Sequence, residues 1–416
     1  MQGLNITFGV ELEFVVAYRA AHYANIPHQD PDSAVRAHII HLLQEAGFAM
    51  NGLTPPLNYD YWSLGTDGSI KTDPEDTLSP QGNEIRFSAV ELITPTFYGG
   101  QSAVAFQQLE RALGIIQQEF QAFTNRSCGM HIHVGNGQWG FPRSTLKKFA
   151  QVVTTFEKQL ASIHPFHRIN NVHCRPPSIN FETQDLVKNI LSLQAARSCK
   201  ALIDCMSCGP HGSERGFAYN MRNLITNGAP PTIEFRQHQA TLNVVNCAAW
   251  ASLACGLVAR CHELTPADLR DLLVRGISQQ PPTMLELLTA LDLGELAGHY
   301  RHEPMYSHPE SGSLVYEGEA YVADPDADIQ MSDAHNINSS GLAPPSPPMS
   351  TQDQIASDAE MCRRLCLNLR PRSTRSKAAT KQISMTGDMD WETEYALHDA
   401  LRGVEVTPDD DDDENY

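Results

Sequence analysis

Three short apolar stretches of this 416-residue chain carry polar residues spaced two apart. They are Gly9-Val10-Glu11-Leu12-Glu13-Phe14, Cys128-Gly129-Met130-His131-Ile132-His133-Val134 and Thr232-Ile233-Glu234-Phe235-Arg236-Gln237-His238. Val, Ile and Phe around the polar positions are strand composition, and in a strand residues i and i+2 point to one face. Glu11 therefore shares a face with Glu13, His131 with His133, and Glu234 with Arg236 and His238. If the three strands belong to one sheet, carboxylates, imidazoles and a guanidinium converge on a single surface. Such a surface would bind divalent metal and an anion.

The elements that must hold these strands are readable from periodicity. Ile6–Tyr18 and 84–94 read as strands. Ser33–Ala46 has helical spacing (Val35, Ile39, Leu42, Leu43) and stops at Gly47. Asp67-Gly68-Ser69 is a tight-turn signal, and Asp67 is read equally well as a turn former or a ligand. Gln101–Phe123 reads as one long amphipathic helix with Val104, Leu109, Leu113, Ile116 and Phe120 on its apolar side. Ser144 is a plausible N-cap for a helix to about Ile163. Thr183–Cys199, Asn243–Leu264, Pro266–Arg275 and Thr283–Leu291 read as further helices. The strands are irregularly spaced and lack glycine-rich turns into helices. This order predicts an α+β fold with helices packed on one face of a largely antiparallel sheet.

Charge divides the chain. From Glu303 onward there are 23 acidic and 8 basic residues, so about −15 of the formal −19 lies there. That tail contains a Ser/Pro-rich stretch at 339–348, a basic island at 370–377 and an acidic run at 409–414. Its composition predicts a mostly disordered segment, giving a division into 1–302 and 303–416. The nearly neutral first part lacks the basic stripe of a nucleic-acid binder. No basic region precedes an apolar run at the N-terminus, and no stretch of 18 apolar residues occurs, so neither a signal peptide nor a membrane span is expected. The ten cysteines follow no framework spacing and are expected to be free thiols in a reducing, cytoplasmic compartment; the basic island leaves a nuclear address open.

Taken in order, Phe8-Gly9-Val10-Glu11-Leu12-Glu13-Phe14, Asp67-Gly68-Ser69, Val90-Glu91-Leu92-Ile93-Thr94-Pro95, the His131/His133 segment and Ile233-Glu234-Phe235-Arg236-Gln237-His238 resemble the amidoligases, relatives of glutamine synthetase and glutamate–cysteine ligase. The resemblance covers about residues 6–265. It implies a glutamine-synthetase-like catalytic domain whose sheet has a concave metal- and ATP-binding face. It also implies transfer of the γ-phosphoryl of ATP to a carboxylate, followed by amine attack on the acyl phosphate. By analogy Glu11 and Glu13 would serve different magnesium ions, Glu91 would join one of them, and His131 and Glu234 would bind another, with His133 beside them. Arg236 would contact a transferring phosphoryl oxygen. Arg215, Asn220 and Arg222 loosely match a segment that contacts nucleotide or substrate.

The residue types suit that chemistry on their own terms. Phosphoryl transfer needs positioning and charge neutralisation, magnesium prefers carboxylate oxygens, and arginine clamps phosphate through a planar fork. Imidazole among the ligands leaves manganese and zinc open. Two other readings compete: a metal-dependent hydrolase built on the His-x-His pair, and a non-catalytic descendant of the ligase fold. The carboxylate and amine substrates (amino acid, peptide or protein) and the oligomeric state are not written in the sequence.

Overall fold

The computed structural model describes residues 3–23, 30–52, 58–72, 85–207 and 215–303, together with Tyr306, Glu360 and Met361. Glu84, Cys208 and, apart from those named residues, the segment expected to be a disordered tail lie outside the described residues, as do its basic island and acidic run.

Strand β1, Ile6–Arg19, is the axis of the molecule. The other strands are β2 Ser63–Gly65, β3 Ile85–Ile93, β4 Phe97–Tyr98, β5 Gln121–Phe123, β6 Gly129–Asn136, β7 Tyr219–Asn220 and β8 Thr232–Gln239. They form one sheet in the order β2-β3-β1-β6-β8-β7, with β4 and β5 also paired to β1. Every ladder is antiparallel. Helices and an antiparallel sheet are thus combined as the periodicity predicts. Val10, Leu12 and Phe14 of β1, Met130, Ile132 and Val134 of β6, and Ile233 and Phe235 of β8 are all buried in the core. Helix Val244–Glu263 packs on that face, against β1 and β6. It is long and apolar enough to cross a bilayer, but its hydropathic window is 72% buried inside the protein, as befits a core helix.

Local chemistry sets the helix ends. Asp30 accepts from the Ser33 N–H and Pro31 opens helix Pro31–Glu45, and Gly47 leaves it at a positive φ of 87°, a conformation that costs glycine little. Asn243 accepts from the Val245 and Asn246 N–H groups at the start of Val244–Glu263.

Several expectations change. The helix predicted over Gln101–Phe123 is Ser102–Glu119. Its last residues instead form β5, which pairs with Val15–Ala17 of β1; backbone pairing at the long central strand outweighs helical periodicity there. Val104 is 51% exposed, while Ala105 and Phe106 face the core. Ser144 is not a cap: Pro142 holds that position, and the helix runs Arg143–Thr155 before breaking at Phe156 and resuming at Glu157–Ala161. Helix Leu186–Ala195 starts later than predicted because Asp185 caps it, accepting from Lys188 N–H.

The most consequential departure lies in β8. Met130 pairs with His238 and Ile132 with Phe235, so His131 faces two residues, Arg236 and Gln237. This bulge shifts the alternation by one residue. His238 therefore does not share the face of Glu234 and Arg236. It packs against Trp250 of the core helix, with ring centroids 5.3 Å apart, and against His164 at 5.6 Å.

The last described backbone bond runs from Tyr306 N–H to Ser162 O, 2.8 Å. The domain boundary is therefore proposed just after Tyr306 rather than at 302. Deleting residues 307–416 should keep the far-ultraviolet spectrum and hold the melting temperature within about 4 °C of the full chain, the scale of ~1 kcal/mol. Insoluble protein or a lost helical signal would place the boundary further on.

Candidate functional site

The register of the sheet brings the polar positions together. Glu13 lies opposite Glu91 across the β1–β3 ladder. Glu11 lies opposite His131 across β1–β6, and His133 opposite Glu234 across β6–β8. All six side chains occupy the face away from the core helix. Glu13, His131 and Glu234 are between 2% and 4% exposed.

Their atoms form two groups of three. Glu11, His133 and Glu234 each offer one ligand atom within 4.8 Å of the others, and so do Glu13, Asp67 and Glu91. His131 stands between the groups: its Nδ1 is 3.3 Å from Glu11 Oε2 and 3.6 Å from Glu234 Oε1, and its Nε2 is 3.8 Å from Glu13 Oε1. The analogy that paired His131 with Glu234 on one ion thus meets a structure in which His133 is the imidazole grouped with Glu234. His133 Nδ1 is anchored to Thr232 Oγ1 at 3.1 Å. Its buried Nε2 lies 3.0 Å from Glu11 Oε1 and makes no well-directed hydrogen bond.

Around these groups the backbone and neighbouring side chains fix orientation. Gly129 N–H donates to Glu13 Oε2 at 2.6 Å. Asn220 Nδ2 donates to Glu234 Oε2 at 2.7 Å. Arg236 donates through Nη1 to Glu234 Oε1 and through Nε to His173 O at 3.0 Å. Asp67 forms the turn, accepting from Ser69 N–H at 2.7 Å, and its carboxylate also stands in the second group. Of the other candidates, Arg222 is 3.0 Å from Asp204 in an ion pair, and Arg215 is exposed beside a segment outside the described residues.

Sequence reading misses Arg168 and His173. Arg168, 3% exposed, donates to Arg236 O at 2.7 Å and to Gln237 O at 3.3 Å. Neither residue sits in an alternating run, so no periodic signal marks them. Among the described residues seven cysteines are free thiols. Cys128 and Cys174 lie near the site, but burial pushes both thiols up, Cys128 to about 11, which makes them poor nucleophiles.

The electrostatics show what the face lacks. Burial, then the charges of Glu11, Glu13 and Asp67, push Glu91 up to about 8. Burial also raises Glu13, against the opposing charge of His131. Burial alone would raise Glu11, but the charge of His133 and the His131 hydrogen bond outweigh it and hold the carboxyl well below its usual range. Burial likewise works against Glu234, which His133 and Arg236 hold low. Burial would lower His133, yet the Glu11 and Glu234 carboxylates push it up to about 9. Five carboxylates, Glu11, Glu13, Asp67, Glu91 and Glu234, thus outnumber the cationic groups His133 and Arg236 whose charges act most on Glu11 and Glu234. Two separated carboxylate groups, one of them including the His133 imidazole, are a donor set that fits divalent cations.

The chain matches the family described as "Putative amidoligase enzyme" over residues 4–258. It belongs to that family. A comparison with curated proteins gives no match. Among solved structures, the chain is similar to the ligase in the complex between the prokaryotic ubiquitin-like protein Pup and its ligase PafA, with 12% sequence identity and a TM-score of 0.29. That similarity covers 88% of this chain and 63% of the other. The motifs of this amidoligase, from β1 to β8, all fall within the matched region.

Glu91 and His133 make a pH prediction for the metal-free protein. Their ordinary values are 4.5 and 6.5, against about 8 and about 9 in the folded chain. Between about pH 6.5 and 8 the folded state therefore holds protons that the unfolded chain has released, and stability falls as pH rises. In EDTA the melting temperature should drop across this range, and Glu91→Gln should flatten the drop. A rise with pH would contradict the assigned environments.

Proposed function

We propose that this amidoligase is an ATP-dependent carboxylate–amine ligase that makes an amide through an acyl phosphate. The observation that carries the reading is the pairing of two three-ligand groups, Glu11/His133/Glu234 and Glu13/Asp67/Glu91, with one permanently charged arginine on the same sheet face. Family membership supports it. The polar face would be the surface that receives the triphosphate. The acceptor carboxylate and the amine are small-molecule, peptide or protein groups.

The residues present fit divalent metal, and Glu11, His133 and Glu234 would hold one ion while Glu13, Asp67 and Glu91 hold another. Magnesium or manganese bound there would neutralise phosphate charge and orient the terminal phosphoryl group. The chain's own contribution is positional. Gly129 N–H occupies one oxygen of Glu13 and leaves the other toward the cluster, while Asn220 Nδ2 and Arg236 Nη1 fix the two oxygens of Glu234. His131 spaces the two groups and supplies a donor or acceptor to both. Arg236, braced by Glu234 and the His173 carbonyl, presents its remaining N–H groups to the transferring phosphoryl oxygens. That planar charge has more to stabilise in the transition state than in bound ATP.

A hydrolase would draw on His131 and His133 as a pair of ligands to one ion. Here the two imidazoles do not belong to the same three-ligand group, which favours the ligase reading.

Two experiments test it. ATP should bind only with magnesium or manganese present, because clustered carboxylates repel the triphosphate until cations intervene; equal affinity in EDTA, or none under either condition, would overturn the proposal. With an amine and carboxylate pair identified by ADP release, Arg236→Lys should lower kcat by about two to three orders of magnitude while ATP affinity changes much less. A Lys variant turning over near the wild-type rate would reduce Arg236 to a salt-bridge partner of Glu234.

A further inference from the structure

The bulge in β8 leaves a structural problem that one buried side chain solves. Where two residues oppose one, the ladder to β6 is interrupted, and buried carbonyls must find other donors. The carbonyls concerned are those of Arg236 and Gln237, and both are taken by the guanidinium of Arg168. Arg168 comes from the short helix Phe166–Ile169, far in sequence from β8. The same stretch of chain also reaches the other end of Arg236, since the His173 carbonyl accepts from Arg236 Nε at 3.0 Å. Cys174 Sγ bonds back to Arg168 O and ties the two contacts into one strap.

Gly129 makes room for this crossing. A Cβ at that position would come within 2.7 Å of Arg168 Nη2 and 3.0 Å of His131 Nε2. The guanidinium is also close enough to Glu13 to lower it in part, after the larger effects of burial, His131 and the Gly129 hydrogen bond. The glycine thus has two uses, a backbone donor to Glu13 and an open path for the arginine.

We infer that Arg168 is a positioning residue: by occupying the two carbonyls of the bulge it fixes where β8 changes face, and so aims Arg236 at the carboxylate groups while sending His238 to the core. The part of this inference that concerns phosphate rests on the ligase reading. The part that concerns the strand does not. Without the strap the bulge can relax into regular alternation, which would turn His238 toward the Glu234 face.

His238 reports on that change. In its core position burial lowers it to about 4, partly offset by its bond to Gln239 O. The groups that face it are His164, Trp250, His299 and, at longer range, Arg168. On the polar face it would stand among carboxylates and titrate at or above its ordinary value of 6.5.

The test is proton NMR of the histidine rings in the full chain, with the His238 signal assigned by its loss in His238→Gln. The wild type should show no His238 titration between about pH 5 and 8. Arg168→Met should bring a titration into that range, Gly129→Ala should do so by displacing an intact arginine, and Arg168→Lys should give an intermediate result because it keeps charge but loses the fork. A role in packing alone would lower the melting temperature of these variants and leave His238 silent, which would overturn the inference. If Arg168→Met does not fold, Gly129→Ala and Arg168→Lys decide on the same readout. With a substrate pair in hand, folded Arg168 variants should lose about 10²-fold in kcat, the scale of a small misplacement, with KM for ATP changing far less. Absence of metal-dependent ATP binding in the wild type would remove the ligase reading and leave the His238 result to judge the strap by itself.

Discussion

Glu13 and Glu91 face each other across a β-ladder, both largely out of water, with Glu11, Asp67 and Glu234 nearby. Like charges directly opposite in a sheet are destabilising, and burial sharpens the repulsion. The fold answers in part with the positive charge of His133 and Arg236, while burial and the neighbouring carboxylates push Glu91 up to about 8. On the proposed reading, the remaining imbalance is met by divalent cations. Everything else about this face follows from meeting that imbalance while keeping the carboxylates in place.

The holding groups are correspondingly numerous. Glu13 leans on a backbone N–H, Glu234 on an amide and a guanidinium, His133 on a threonine hydroxyl, and Arg236 on a carbonyl. Together these anchors hold the side chains of the cluster in one arrangement. Preorganisation of this kind is what phosphoryl transfer asks of a protein, because the chemistry itself requires little beyond position and charge. The opposite face needs no such care. Val10, Leu12, Ile132 and Phe235 bury against the helical layer, and that apolar burial supplies the stability against which the charged face is built.

Much of this was legible in the sequence, because a strand period of two is exact. Glu11 with Glu13, His131 with His133 and Glu234 with Arg236 could be assigned to shared faces from spacing alone. That they share one sheet face depends on long-range register, which alternation cannot supply. The bulge at Arg236 and Gln237 was invisible for a physical reason: it is stabilised by Arg168, some 68 residues distant along the chain. For the same reason simple alternation puts His238 on the face of Glu234, opposite to its place in the core. Asp67 was half legible, since its turn role and its place in the second group leave the same local signature. The extension of helical periodicity through Phe123 failed because pairing with β1 decided those three residues. Arg168 and His173 lie in irregular chain, where residue type carries little information until the fold brings them to the site.

Anomalous diffraction from crystals grown with manganese and a non-hydrolysable ATP analogue tests the account most directly. Two manganese peaks are expected on the polar face, one among Glu11, His133 and Glu234 and one among Glu13, Asp67 and Glu91, with the terminal phosphate beside Arg236. A single ion held by His131 and His133 together, or nucleotide bound away from this face, would contradict it.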